Sequence, residues 1–141
     1  MDLSVLADTV VRLYAAIHMM MGYPLPEPYP LVRSMSRAAI SEIVCTRPCQ
    51  IRAFYHPDLG VVVDEALNLQ SSAYDRSILL HELVHHAQHA AGAFREIDSA
   101  CVARSKAEME AYTVQNRYLR QSGASEAIPV LNWRGLCRRS E

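Results

Sequence analysis

Four of the chain's six histidines fall in one short stretch, "SILLHELVHHAQHAAG", residues 77–92. Within it, His81, Glu82 and His85 form the pattern H-E-x-x-H. On a helix, residues four apart share a face, about one turn from each other. Two imidazoles so placed can bind one tetrahedral zinc ion. Glu82 follows the first histidine and is offset around the helix, so it can reach a water on the ion without binding the ion itself. Zinc lowers the pKa of such a water towards neutrality, and a carboxylate beside it can accept the proton. The helical wheel agrees with this reading. Leu79, Leu80, Leu83, Val84 and Ala87 make one broad apolar stripe, and His81 and His85 fall on the opposite side. The competing reading is a metal-free amphipathic helix whose histidines meet solvent.

His86 and His89 are expected to be peripheral groups. His89 lies eight residues beyond His81, about 12 Å along a helix axis, too far for all three histidines to hold one ion. Gln88 also occupies the glycine position of the H-x-x-G-x-x-H extension that marks the metzincins. A third protein ligand must therefore come from elsewhere. The segment "KAEMEAYTVQ", residues 106–115, offers Glu108 and Glu110. Ala100, Ala103, Ala107, Ala111, Val114 and Tyr118 mark its buried side, and the two glutamates flank that stripe on opposite edges. The stripe leaves the choice open. Its small alanines suit a close approach to the histidine helix.

With these residues, the chain resembles the gluzincins, zinc metallopeptidases built on HExxH plus a glutamate from a following helix, and above all their small single-domain members. The resemblance covers about residues 51–121. Several families of this group show Glu-x-x-Ala-Asp, with the first residue as ligand. "EMEAY" matches through Glu108 and Ala111 and carries Tyr112 where the aspartate would stand. The resemblance thus implies zinc held by His81, His85 and Glu108, with Glu82 as general base. The contact normally made by the aspartate would fall to Tyr112, Asp75 or Asp98. The donor for the oxyanion would come from Tyr112, His86, His89 or Tyr55. In related enzymes an edge strand ahead of the metal helix aligns the peptide through its main chain. "GVVVD", residues 60–64, is a candidate for that role, with a buried strand as the alternative. Substrates would be peptides or proteins, peptidoglycan stem peptides among them. Only about 20 residues follow the glutamate helix, so the cleft should be open or completed by another chain. A zinc-stabilised binding module without hydrolysis is the rival function.

The elements that must position these groups fit one domain over residues 1–141. The 141 residues are half apolar and about a fifth charged, an ordinary globular composition. The formal net charge of −1 gives no footprint for nucleic acid, and the basic cluster Arg134, Arg138 and Arg139 reads as a solvated tail. No uninterrupted apolar run of membrane-spanning length is present. Asp2, Asp8 and Arg12 argue against a signal peptide in the first 22 residues. Leu3, Leu6, Val10, Leu13 and Ile17 instead recur at helical spacing. "GYPLPEPYP", residues 22–30, breaks that helix. "SRAAISEIVC" reads as a short helix capped by Ser36. Strands are expected near 51–56 and 60–64, in a sheet of two or three strands. Helices are expected from Tyr74 to Ala91 and from Ser99 to Gln121. Pro129 and Trp133 are expected to pack the tail on the core. The result is a small, mostly helical α+β domain, zincin-like. Cys45, Cys49, Cys101 and Cys137 permit two disulfides in any of three pairings. They favour a periplasmic or secreted location slightly over the cytoplasm.

Overall fold

The computed structural model describes residues 1–47, 49–125, 127, 128 and 137. Four helices and a three-stranded sheet follow one another as α1 (Leu3–Met21), β1 (Val32–Met35), α2 (Arg37–Val44), β2 (Ala53–His56), β3 (Gly60–Asp64), α3 (Ala73–Ala91) and α4 (Ala100–Gln121). The fold is α+β, as the sequence predicts. The expected positions of Pro129 and Trp133, and the basic residues Arg134, Arg138 and Arg139, lie outside the described residues.

Side-chain caps set the helix starts. The oxygens of Asp2, Ser36, Ser72 and Ser99 each accept a main-chain N–H in the first turn of the helix that follows, which satisfies a donor the helix leaves unpaired. α3 ends at Gly92, whose φ of +67° is the left-handed conformation that closes helices without cost to glycine.

The sheet departs from expectation in two ways. β1 is an additional strand, and it runs parallel to β3 with Val32 opposite Val61. β2 pairs antiparallel on the other side, giving the order β1-β3-β2. "GVVVD" is therefore the central strand and not the edge expected to bind a peptide. Its composition accounts for this, since a strand covered on both faces needs apolar residues at consecutive positions. Val61 and Val63 face the main core with α1 and α3, while Val62 faces the other side, where α2 packs and Ile40 is fully buried. Gly60 is required where β3 meets the chain before β1. A Cβ there would stand 2.4 Å from the Leu31 carbonyl oxygen.

α1 meets by length and composition the criteria for a membrane-crossing helix, with a mean hydropathy of 1.3 over its best window. The sequence reading missed this because Asp8 and Arg12 interrupt the apolar run. Here Leu6, Val10, Leu13, Tyr14 and Ile17 are buried in the core cluster, while Asp8 and Arg12 pair on the exposed face. From α3 that cluster takes Leu79, Leu80, Leu83, Val84 and Ala87, the stripe read from the sequence. Each fully buried leucine contributes roughly 1.5–3 kcal/mol.

Two disulfides close the chain, Cys45–Cys49 and Cys101–Cys137. The first spans four residues and the second 36. By loop-closure entropy the longer crosslink stabilises by about 4 kcal/mol and the shorter by about 2. At the end of β3, Asp64 is buried beside Arg37 and Arg52. Burial would raise its carboxyl, but the Ala66 N–H and the Arg37 guanidinium outweigh it and hold the group below its ordinary value.

Candidate metal centre

α3 packs its apolar stripe against α1 and the sheet, and presents its opposite face to α4. His81 and His85 are on that second face. They meet the neighbouring helix and not solvent, and His81 is only 7% exposed. The alanines of α4 allow this approach, since Ala111 is fully buried.

The two imidazoles converge. Their Nε2 atoms are 3.2 Å apart. Glu108 Oε1 lies 3.5 Å from His81 Nε2 and in direct contact with His85 Nε2. Among the described residues, His81, His85 and Glu108 are the group that brings three metal-ligating atoms together. Glu110 does not join it, which resolves the alternative left open by the helical stripe.

Two glutamines to which the sequence reading gave no role at the centre, Gln88 and Gln115, face the imidazoles. Gln115 donates from Nε2 to Ser77 Oγ, 3.0 Å away, and Ser77 spends its own proton on the Tyr74 carbonyl. The amide oxygen of Gln115 therefore faces His81 Nδ1, at 3.0 Å. On the other side, Gln88 donates from Nε2 to the Ala107 carbonyl and to Glu110, both at 3.0 Å. Its oxygen faces His85 Nδ1 at 2.8 Å. An amide oxygen only accepts, so each Nδ1 must carry the proton. In the neutral rings the lone pairs are then on the two Nε2 atoms, which face each other and a carboxylate.

That arrangement could hold a metal ion. Two nitrogens about 2.1 Å from one tetrahedral zinc stand roughly 3.4 Å apart, which matches the 3.2 Å and 3.5 Å separations here. The donor set of two neutral imidazoles and one carboxylate is also that of an open zinc site. In the absence of metal the histidines and the carboxylate shift one another's titration. Burial would raise Glu108, yet His81 and His85 draw it down to about 2. Burial would lower His85, but Glu108 and Glu82 raise it.

Glu82 is beside this point and not in it, with Oε2 3.9 Å from His81 Nε2. Burial pushes its carboxyl up, against the pull of both histidines, and the Tyr55 main-chain N–H faces it. A carboxylate raised in this way is a better proton acceptor near neutral pH. Tyr112 is also at the site, with its ring centroid 4.4 Å from that of His81. Burial and the nearby Glu108 and Glu82 raise its phenol, so it keeps its proton.

The second layer corrects the expectation. Neither Tyr112 nor an aspartate orients a ligand histidine. Asp75 binds the Asn68 N–H and pairs with Arg52 near the start of α3, and Asp98 is exposed in the loop before α4. Gln88 and Gln115 do that work. Glu110, the other candidate ligand, accepts from Gln88 and from the Tyr23 hydroxyl at 2.6 Å. Tyr23 thus ties the proline-rich segment to the centre. His86 and His89 are peripheral as predicted. Each meets a tyrosine, Tyr14 Oη at 2.7 Å from His86 and Tyr55 Oη at 3.1 Å from His89.

Beside the centre is an open cleft of about 400 Å³. His85 and Glu108 form its inner end, and Tyr55, Phe94, Arg104 and Ala107 line its walls. No curated protein and no solved structure matches the chain. Residues 4–140 match a family described as a domain of unknown function, DUF6647. By that match over nearly its whole length, this chain, with its two imidazoles and one carboxylate converging between adjacent helices, belongs to the DUF6647 family.

Proposed function

We propose that this protein is a zinc-dependent peptidase that hydrolyses peptide bonds in peptides or proteins, with His81, His85 and Glu108 as the metal ligands. The observation that carries the reading is the pair of locked tautomers. Gln88 and Gln115 leave both Nε2 lone pairs facing one point, and a buried, unligated carboxylate stands next to it. A site that was only structural would have no use for Glu82 there.

When bound, zinc supplies Lewis acidity, which acidifies solvent and polarises a carbonyl. The chain's own residues do the rest. Glu82 accepts a proton at its carboxylate and returns it to the leaving amine. Its raised proton affinity suits both halves of that task. Tyr112, holding its phenolic proton beside His81, donates towards the developing oxyanion. Substrate alignment falls to β2, the edge strand next to α3. The Arg52 carbonyl accepts from the Asp64 N–H, so Ala53 and Tyr55 turn their main-chain groups away from β3, the Tyr55 N–H towards Glu82 and the others towards the outer edge. An extended peptide can add there as a further strand. The two disulfides favour an oxidising compartment, periplasmic or extracellular.

The test is metal analysis of the purified protein together with hydrolysis of casein and of muropeptides. Wild type should carry zinc and cleave. Glu82→Gln should keep the zinc and lose cleavage. Full activity in Glu82→Gln would refute the mechanism, and a metal-free wild type that resists zinc loading would refute the site.

A further inference from the structure

We propose that Arg104 makes the cleft beside the metal centre a carboxylate-recognising subsite, so that the enzyme prefers peptides with a negative charge close to the bond it cuts; this rests on the peptidase reading above. Arg104 stands one turn before Glu108 on α4, about 6 Å along the helix axis. Its side chain lines the same cleft as His85 and Glu108. Among the described residues no carboxylate forms an ion pair with it; the acidic groups of this region are committed to His81, His85, Gln88 and Tyr23. The ionisable side chains facing the cleft are thus Glu108, His85, His89 and Arg104, and Arg104 is the permanent cation among them. A guanidinium presents a planar fork of donors that matches a carboxylate in two parallel bonds.

The opposite wall is held in place at some cost. After the Gly92 cap the chain turns through Phe94 at φ +61°, a left-handed conformation unfavourable for a non-glycine residue. The Ala93 N–H to Gln88 carbonyl bond and the Ile97 N–H to Phe94 carbonyl bond fix it. Backbone strain of this kind persists where the surroundings impose it, often at ligand sites. Phe94 is among the residues that line the cleft. Phe94 and Tyr55 supply apolar walls for a methylene stem, and Arg104 supplies the charge at its end.

Two sources of carboxylate fit, an acidic side chain and a free chain terminus. Calorimetry on zinc-loaded Glu82→Gln protein, which binds without turnover, separates them. The probes are acetyl-Ala-Ala-Glu-Ala-Ala-amide, its glutamine counterpart, and the glutamine peptide with a free C-terminal carboxylate. One or both charged probes should bind at least tenfold more tightly than the neutral one, and the stronger of the two names the source. Arg104→Gln should remove the difference while leaving the neutral probe's affinity and the circular dichroism spectrum unchanged, and Arg104→Glu should reverse it. Equal binding of all three probes by the Arg104 protein, no measurable binding of any, or a preference that survives Arg104→Gln would overturn the proposal. Cleavage by wild type without charge preference would end this inference and leave the peptidase reading standing. A charge preference in a protein that never hydrolyses would do the reverse.

Discussion

α3 carries two pairs of histidines, and their difference lies in their hydrogen-bond partners. His81 and His85 each give an Nδ1 proton to an amide oxygen. His86 and His89 each face a tyrosine hydroxyl through the same nitrogen. Burial, with lesser contributions from Tyr55 and Tyr29, pushes the Tyr14 phenol up to about 12, so it keeps its proton. Burial, followed by His89, pushes His86 down, so its ring stays neutral. An amide oxygen can only accept, so it fixes the proton on Nδ1, whereas a tyrosine hydroxyl can donate or accept and leaves the ring free to take either tautomer. The same side chain on the same helix belongs to a cluster that could hold a metal in one case and is a packing and hydrogen-bonding group in the other. A partner that can only accept makes the difference.

The most severe way to break this contrast is to remove a ligand. His81→Ala and Glu108→Ala should each abolish stoichiometric metal binding, read by inductively coupled plasma mass spectrometry, whereas His86→Phe should leave it unchanged. Loss of metal in His86→Phe would end the distinction between the pairs. Glu82→Gln should keep the metal and lower hydrolysis by about 10²–10⁴-fold.

A gentler break is to unlock the tautomer. Gln115→Leu and Gln88→Leu should each weaken metal affinity by roughly 10–100-fold in competition with a chelator. Unaltered affinity in both would show that the amides do not set the tautomers.

pH sharpens the comparison through linkage. In chelated protein Glu108 falls from 4.5 to about 2, so its contribution to stability is complete above 4.5 and disappears as pH falls towards 2. His85 is raised above 6.5, so its contribution is complete below 6.5 and is lost as pH rises through the folded value. The chelated protein should thus show its highest melting temperature between about pH 4.5 and 6.5. Metal competes with the His85 proton, so the stabilisation added by zinc should grow as pH rises through that region. A zinc increment that does not change with pH would contradict the assignment.

The smallest effect belongs to the second pair. Tyr14→Phe should cost about 1 kcal/mol in denaturant melts and leave metal content untouched. Imidazole ¹⁵N spectra should report Nδ1–H for His81 and His85. Nε2–H on either ring would remove the contrast at its root.

The spacing His81-Glu82-x-x-His85 was readable because a helix turns a four-residue interval into a shared face, and the apolar stripe of α3 placed the remainder of the packing. Glu108 was identified through resemblance, since the alanine stripe of α4 alone left Glu110 equally placed. Gln88 and Gln115 were given no role at the centre because a glutamine at a helix contact carries no periodic signal. Their spacing held a clue, for Gln88 stands three residues after His85 and Gln115 seven after Glu108, each on its ligand's face. β1 went unseen because its four residues, "VRSM", are too short and too polar to alternate. That hidden strand is why the sequence left "GVVVD" open between an edge and a buried strand when it is the centre. Four cysteines admit three pairings, and their spacing alone does not select Cys101 with Cys137.

That last crosslink encloses everything α4 contributes to the centre, because Glu108 and Gln115 both lie between its two cysteines. The stretch after α4, at Ser122 and Gly123, is exposed and so open to an outside protease. A nick there would not shed the tail. The two pieces would travel as one band on an electrophoresis gel until a reductant parted them.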